Sequence, residues 1–424
     1  MTGLLILAVY IAIFVGAYFV VKAVGRTASS GFNSLKTVTF GDESTVVANR
    51  WGSVISVATI FLIWGSFTGS NWVPGFLHAP APYVGEMQFT YTLQAPDGAT
   101  DDATVFVRIF DFGEDKVAFE VPPGDGFAKD DALSMNTSRT ETILFDRNDE
   151  VNRRAGAQVV AIDGTPIGPD TAISTSSGRF VLTDKGAISF TPPKGLQMDP
   201  LYLPPPEAVI DRLTEIASEG YRNFTLLEHL GYSLFRVIGG FLFGALLGIP
   251  LGYAMGLNGW FRGWFDPIVE FMRPVPPLAL IPLVIIWFGI GEAGKIILLF
   301  LAALWIMAIA ARSGVSGVRI TKVHAAYSLG ASKWQVMRHV IVPNSLPDIF
   351  TGARVAMGVC WGTVVAAELV AASQGAGMMI MVASKFTLTD IVIMGIILIG
   401  IIGFAIEMLM RQLESWLVPW KGKG

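Results

Sequence analysis

Residues 319–346 read RITKVHAAYSLGASKWQVMRHVIVPNSL, a polar stretch between two long apolar runs. The pattern predicts two short helical segments that meet at Gly330, with Ser332 capping the second and Pro343 ending it. The apolar residues of the second segment recur at helical spacing and share one face: Trp334, Met337, Val340 and Ile341. Such a segment fits an amphipathic hairpin on a lipid surface and a docking element for another protein equally well.

The rest of the chain has the composition of a membrane protein. Its 424 residues are 52% hydrophobic and 15% charged, whereas soluble domains contain about 25% charged residues. The apolar runs predict seven membrane spans, at 3–21, 51–73, 231–257, 275–290, 295–312, 349–372 and 387–410. The single cysteine, Cys360, excludes a disulfide within one chain, and the four histidines lack metal-ligand spacing. The net charge of −4 gives no indication of nucleic-acid binding.

Basic residues set the expected orientation. Lys and Arg cluster in the segments 22–50, 258–274 and 312–346 and in the C-terminal tail, and such segments are enriched on the cytoplasmic side. Lys22 and Arg26 follow the first apolar run and no charge precedes it, which favours an uncleaved anchor over a signal peptide. With seven spans, the N-terminus is then expected outside the cell membrane and the C-terminus in the cytoplasm.

Residues 76–200 form an acidic block. They contain 19 Asp and Glu against 10 Lys and Arg, a local net charge of −9. Short runs rich in Val, Ile, Phe and Thr predict strands, at Phe89–Leu93, Thr104–Phe110, Lys116–Val121, Gln158–Ile162, Arg179–Thr183 and Ala187–Thr191. We therefore expect a small β-rich domain, a sandwich or a barrel, on the outer side of the membrane.

These patterns predict an α-helical polytopic membrane protein with an inserted β-rich domain. The expected parts are a transmembrane helix at 1–24, a cytoplasmic loop at 25–50, a transmembrane helix at 51–74, the β-rich insert at 76–200, and a helical core at 201–424.

The stretch 319–346 resembles the EAA loop of ABC (ATP-binding-cassette) importer permeases. That pattern is Glu-Ala-Ala, three residues, Gly, nine residues, then Ile-x-Leu-Pro, and it is matched at Ala325, Ala326, Gly330, Val340, Val342 and Pro343. His324 stands in place of the Glu. The resemblance implies that this loop docks an ATPase subunit through His324, Ala325, Ala326, Gly330, Ala331, Ser332, Trp334, Met337, Val340 and Pro343.

Residues 203–411 resemble the nitrate, sulfonate and taurine branch of these permeases. The matching stretches are 203–206, 229 with 233–236, 248–252, 273–277, 281–283, 287–292 with 295, 352–354 and 366–368. The resemblance implies a type I importer permease core in a bacterial inner membrane, with 1–24 and the periplasmic block 76–200 as additions. It also implies a homodimer of permeases, cytoplasmic ATPases that bind ATP and Mg²⁺, and a periplasmic binding protein that delivers a small solute.

The chain itself is then expected to be a transport subunit without an ATPase site. The sequence GIGEAGK at 289–295 matches the first part of a phosphate-binding P-loop, but Ile296 stands where Ser or Thr would hold Mg²⁺. No soluble strand precedes it, so a Gly-rich turn between two spans is the better interpretation.

Ionisable and polar residues within spans are costly and often functional. The candidates for a substrate pathway are Arg236, Trp361, Thr363 and Glu368. For Glu368 a structural or coupling role competes with substrate contact, and Arg236 either reaches the membrane interface or offers a cation to an anionic substrate. A further pattern, small residues every four positions at Gly244, Gly248, Gly252 and Gly256, predicts a close helix-packing face.

Two other functions stay open at this point. A membrane sensor or assembly protein with a ligand-binding outer β domain accounts for the acidic block but has no need of the EAA spacing. A channel or ion-driven transporter requires buried carboxylates, of which the predicted spans contain few.

Overall fold

A computed structural model describes residues 2–28, 50–111, 114–137 and 139–420. The chain divides into two units, Met1–Ala208 and Val209–Gly424. The loop expected at 25–50 falls mostly on residues 29–49, which lie outside the described residues.

The first unit begins with two apolar helices, α1 (Thr2–Ala28) and α2 (Arg50–Thr68). They contain all of the first predicted span and most of the second. Within α1, the apolar window Gly3–Ala23 has no buried residue. A helix that is apolar on all sides and unburied by protein suits contact with lipid.

After α2 the chain forms two β-sheets. One has the strand order β3-β2-β1-β5-β6 and the other the order β4-β9-β8-β7. The strands are β1 (Gly85–Gln94), β2 (Thr100–Phe110), β3 (Asp131–Asn136), β4 (Glu141–Ile143), β5 (Gln158–Ile162), β6 (Thr165–Pro166), β7 (Ala172–Thr175), β8 (Gly178–Leu182) and β9 (Ile188–Thr191). The β2–β3 pair is parallel and the other pairs are antiparallel. The prediction of a β-rich domain is confirmed.

The two sheets share one apolar core, which makes the domain a sandwich. Buried and exposed residues alternate along β1 and β2, the period of a strand with one buried face. Phe89 of one sheet packs against Phe180 and Phe190 of the other, with ring centroids 4.6 and 5.2 Å apart. Each such aromatic pair contributes about 0.5–1.5 kcal/mol beyond its buried area, so these rings help to hold the sheets together.

The strand predicted at Lys116–Val121 is wrong, because these residues form no strand. The position beside β2 is occupied by β3, which buries Met135 completely, while Val117 is 55% exposed. A strand is stabilised by the side chains it buries, and the burial of Met135 therefore favours β3. The other five predicted runs fall on β1, β2, β5, β8 and β9.

The sandwich has a carboxyl group whose titration is predicted to affect its stability. Burial, with the nearby Asp149 carboxylate, raises the pKa of Asp131 to about 7. The folded state therefore holds this proton more tightly than the unfolded chain, where the pKa of Asp is about 3.9. The stabilisation is fully present below about pH 4 and is lost as the pH rises through about 7.

Asp131→Asn should remove this pH dependence. Hydrogen exchange of the β3 amides, corrected for the intrinsic rate, is expected to accelerate between about pH 5 and pH 8 in the wild type, and much less in the variant. The exposed Asp125→Asn serves as the control and should behave like the wild type. Equal pH dependence in wild type and Asp131→Asn would contradict the assignment.

The second unit is helical. Its helices are α3 (Pro206–Glu219, which begins at the boundary of the units), α4 (Leu226–Leu257), α5 (Gly259–Met272), α6 (Ile281–Phe288), α7 (Glu292–Ser316), α8 (Ile320–Ser328), α9 (Lys333–Val336), α10 (Val342–Ala371), α11 (Ala376–Lys385) and α12 (Thr389–Leu417). Short 3-10 and π segments lie at Pro277–Leu280 and Met337–Ile341. Its main core lies between α4, α7 and α10.

Helix α4 packs along α7 through the predicted glycine face, which also includes Gly240. A Cβ added at Gly244 would lie 2.9 Å from the carbonyl oxygen of Phe300, and one added at Gly256 would lie 2.8 Å from the Val315 side chain. Successive glycines thus meet successive turns of α7 in the same chain direction. The two helices are therefore parallel, and the chain between them must return along their length.

The segment that connects α4 to α7 differs from the predicted loop at 258–274 and single span at 275–290. The structure instead has α5 and then the helical segment 277–288, bent by 93° at the break between them. Pro274 and Pro276 lie in this break, and proline both lacks an N–H and disfavours helix at the preceding residue. In the described part of the chain, six helices are long and apolar enough to cross a membrane, and the bent pair raises the number to seven.

Gly248→Val is expected to lower the free energy of unfolding by about 1–3 kcal/mol. A Cβ at this position would lie 2.7 Å from the Leu304 carbonyl oxygen, so the helices must move apart. Gly239→Val on the same helix is the matched control, because nothing lies within 4 Å of its added Cβ. The midpoint temperature of thermal unfolding in detergent should fall for Gly248→Val and not for Gly239→Val. An equal fall in both variants would contradict close packing at Gly248.

Candidate functional site

The loop 319–346 is a helical hairpin. Helix α8 ends near Gly330, which has φ +81°, a conformation that favours glycine. Ser332 then caps α9: its hydroxyl accepts a hydrogen bond from the Gln335 N–H at 3.4 Å, while the Gln335 side chain accepts one from the Ser332 N–H at 2.8 Å. This reciprocal capping box fixes the start of the second segment.

Pro343 does not end the second segment, and that prediction is wrong. The chain passes from α9 through one π-helical turn directly into α10, where Pro343 occupies the first turn. A proline is tolerated there because its missing N–H needs no partner. Lys322 of α8 donates to the Asn344 side chain at 2.6 Å, so both arms of the hairpin are fixed to the start of α10.

The hairpin exposes large apolar side chains. Leu329 is 89% exposed and Trp334 is 70% exposed, with Ile320 and Tyr327 also exposed. Of the residues in the expected docking set, His324, Ala325, Gly330, Ser332 and Trp334 are exposed, and Ala326, Ala331, Met337, Val340 and Pro343 are half-buried. The predicted apolar residues therefore do not share one face. Trp334 is exposed, whereas Val336 is the buried residue of α9.

A second cluster lies where α4, α7 and α10 meet, with Arg236, Lys295 and Glu368 buried and Glu292 exposed. Arg236 is completely buried and donates to the Glu292 carboxylate through Nε at 2.5 Å and Nη2 at 2.8 Å. Its Nη1 donates to Glu368 Oε1 at 2.6 Å and to the Gln374 carbonyl oxygen at 3.0 Å. Lys295 donates to Glu292 at 2.9 Å. The cluster thus contains two cations and two carboxylates and is electrically neutral.

The same cluster holds the turn between α10 and α11. Glu368 accepts from the Ser233 hydroxyl at 2.8 Å and from the Gly377 N–H at 2.9 Å. The His229 Nδ1 accepts from the Gly375 N–H at 3.1 Å. Gly375 has φ +132°, and a Cβ there would meet the Glu368 carboxylate. Four helices are therefore joined by one hydrogen-bonded network.

Sequence reasoning found Arg236 and Glu368 but missed that they bind each other. It also missed the roles of Ser233 and His229 in the network. The Glu292–Lys295 ion pair could have been predicted from the sequence, because oppositely charged residues three positions apart on a helix are neighbours.

Trp361 and Thr363 lie elsewhere on α10. Trp361 is buried and donates from Nε1 to the Ile399 carbonyl oxygen of α12 at 3.0 Å, and Thr363 is also buried. In the P-loop-like stretch, residues 289–291 precede α7 and residues 292–295 form its first turn, where Lys295 donates to Glu292.

Comparison with known proteins agrees with this helical core. A family model described as "Binding-protein-dependent transport system inner membrane component" matches residues 240–418. The chain is 48% identical to the taurine transport system permease protein TauC of Escherichia coli over 227 residues, which cover 53% of this chain and 82% of that protein. It is 38% identical to a putative ABC transporter permease of Methanocaldococcus jannaschii, covering 53% and 84% of the two chains.

A third relative, the putative aliphatic sulfonates transport permease protein SsuC of Escherichia coli, is 38% identical, covering 51% of this chain and 81% of that protein. The chain therefore belongs to the family of ABC importer permeases, the inner-membrane components of binding-protein-dependent transport systems. It is a multi-pass transport subunit and not an enzyme. The β-sandwich lies outside the residues that the family model matches.

The buried charges give a prediction on stability. Arg236→Met and Glu368→Met should each lower the free energy of unfolding by about 3 kcal/mol. The first leaves the buried Glu368 carboxylate without its cation, and the second leaves the buried Arg236 with Glu292 as its remaining carboxylate. The double variant should lose less than the sum of the two, since both charges are then absent. Arg262→Met, an exposed arginine, is the control and should have little effect on thermal unfolding. Additive losses in the double variant would show that Arg236 and Glu368 are not coupled.

Proposed function

We propose that this chain is the translocation subunit of an importer for a small sulfonate-like solute such as taurine, and that ATPase subunits drive it by docking on the loop 319–346. The observation that carries the proposal is the apolar surface of the hairpin, where Leu329 and Trp334 are largely exposed. Caps and hydrogen bonds fix this surface, and large exposed aromatic side chains on a fixed frame are typical anchors of protein interfaces. The solute class is supported by the names of the relatives.

The path of coupling follows α10. This helix has 30 residues and is about 45 Å long. Its first turn is continuous with the hairpin, and its last turn carries Glu368, bonded to Arg236. A movement of the hairpin caused by the ATPase would therefore reach the buried cluster through one rigid helix.

The buried cluster is better suited to holding α10 than to binding the solute. Four hydrogen bonds occupy the N–H donors of Arg236, out of the five that a guanidinium has. We therefore assign Arg236 and Glu368 to positioning the helices. Trp361 and Thr363 stay candidates for the pathway wall, and no contact with a solute is assigned to them.

The remaining partners follow from the family. We propose a second permease copy as a homodimer, a periplasmic binding protein that delivers the solute, and ATP with Mg²⁺ bound only on the partner ATPase. Lys and Arg are concentrated in the segments 22–50, 258–274 and 312–346 and in the C-terminal tail. This distribution supports a cytoplasmic hairpin and C-terminus and a periplasmic N-terminus.

Trp334→Ala should weaken binding of the ATPase subunit at least about tenfold, the loss typical of an aromatic anchor. The first measurement is the dissociation constant of the partner ATPase subunit for the full chain in nanodiscs. The second is ATP-dependent taurine uptake into proteoliposomes that contain the chain, the ATPase and the binding protein. Trp416→Ala is the matched control, because Trp416 is 75% exposed but lies at the end of α12.

Unchanged ATPase affinity and uptake in Trp334→Ala would overturn the docking assignment. A membrane sensor would instead give no ATP-dependent uptake in the wild type, which separates the two functions.

A further inference from the structure

The outward face of the sheet β4-β9-β8-β7 carries small hydroxyl residues and Val181 around one arginine. Residues directly opposite in antiparallel strands share a face. Ser174 of β7 is opposite Arg179 of β8, and Arg179 is opposite Thr191 of β9. The Thr140 hydroxyl lies 2.7 Å from the Thr191 hydroxyl. One row across the sheet thus reads Ser174, Arg179, Thr191, Thr140.

The segment after β9 adds a second cation to this face. Lys194 follows Pro192 and Pro193 and, together with the row, lines a cavity of about 540 Å³. Hydrogen bonds fix this segment against the chain before β1, from the Leu196 N–H to the Pro80 carbonyl oxygen at 2.7 Å and from the Tyr83 N–H to the Pro193 carbonyl oxygen at 3.3 Å. The wall that carries Lys194 is therefore a fixed part of the domain.

Both cations of the cavity lack acidic partners. Arg179 and Lys194 are exposed, and within the described part of the chain neither forms an ion pair. Among the described residues that line the cavity, none is Asp or Glu. Residues 76–200 carry a net charge of −9, and three other cations of this block, Arg108, Lys116 and Lys129, do form ion pairs.

We propose that this cavity binds a small oxyanion, of the sulfonate or sulfate class. A guanidinium and an ammonium supply charge-assisted donors to the anion oxygens, and the hydroxyls of Ser174, Ser189 and Thr191 donate to the oxygens that remain. The volume lies within the usual range of small-molecule sites, about 300–1,000 Å³. The field of each cation extends over about 8–10 Å, the screening length at physiological salt. One carboxylate, that of Asp163, accepts a hydrogen bond from the lining residue Thr175 at 2.9 Å. The site would bind its ligand without any ATPase and so goes beyond the proposed transport function.

The test uses the full chain in nanodiscs and isothermal titration with sodium methanesulfonate and with sodium sulfate. Dimethyl sulfone, which is neutral and similar in shape to methanesulfonate, is the uncharged control and should not bind. Arg179→Gln with Lys194→Gln should raise the dissociation constant at least about tenfold for each lost cation. Arg154→Gln with Lys185→Gln removes the same charge from exposed positions of the same domain and should leave the dissociation constant nearly unchanged.

Hydrogen exchange locates the bound anion. Methanesulfonate or sulfate should protect the amides of residues 172–194 in the wild type and not in the Arg179→Gln/Lys194→Gln variant. The anion that binds more tightly identifies the ligand as an organic sulfonate or as inorganic sulfate. Binding that is absent in the wild type, equal in the two double variants, or equally strong for dimethyl sulfone would overturn the proposal.

Discussion

Helices α4 and α7 approach so closely that a Cβ at Gly248 would lie 2.7 Å from the Leu304 carbonyl oxygen. Lipid chains are as apolar as leucine side chains, so helices in a bilayer associate through close packing rather than through the hydrophobic effect. The parallel register of this contact has two consequences. It forces the chain to return through the bent pair α5–α6, and it places Arg236 of α4 near Glu292 and Lys295 at the start of α7.

The buried charges are stable only because that register is kept. A buried ion pair recovers its desolvation cost only when its geometry is good and further hydrogen bonds satisfy the remaining groups. Glu368 meets this condition through Arg236, Ser233 and the Gly377 N–H. At the opposite end of α10, the Ser345 hydroxyl is 2.5 Å from the Tyr253 hydroxyl of α4. Helix α10 is thus held at both ends.

The structural features that the sequence predicts correctly depend on local patterns. The glycine face of α4 and the cap at Ser332 each depend on residues within a few turns, and both are present in the structure. The strand wrongly predicted at 116–121 reflects competition between segments for the position beside β2. Nothing local shows that β3 rather than 116–121 pairs with β2, or that a π turn carries the chain past Pro343. The partners of Arg236, 56 and 132 residues away in sequence, are set by helix packing and not by spacing.

The β-sandwich shows why net charge is a poor guide to the charges on one face. Its acidity, taken alone, argues against capture of anions, because the average potential repels them. Yet charges at the surface act over about one Debye length, roughly 8–10 Å, and the strand period sorts side chains between two faces. Arg179 alternates with the buried Phe180 and therefore stands on the outward face of β8 beside hydroxyl residues. The sign of the local field is set by which residues the register brings together, so one face of an acidic domain is suited to an anion.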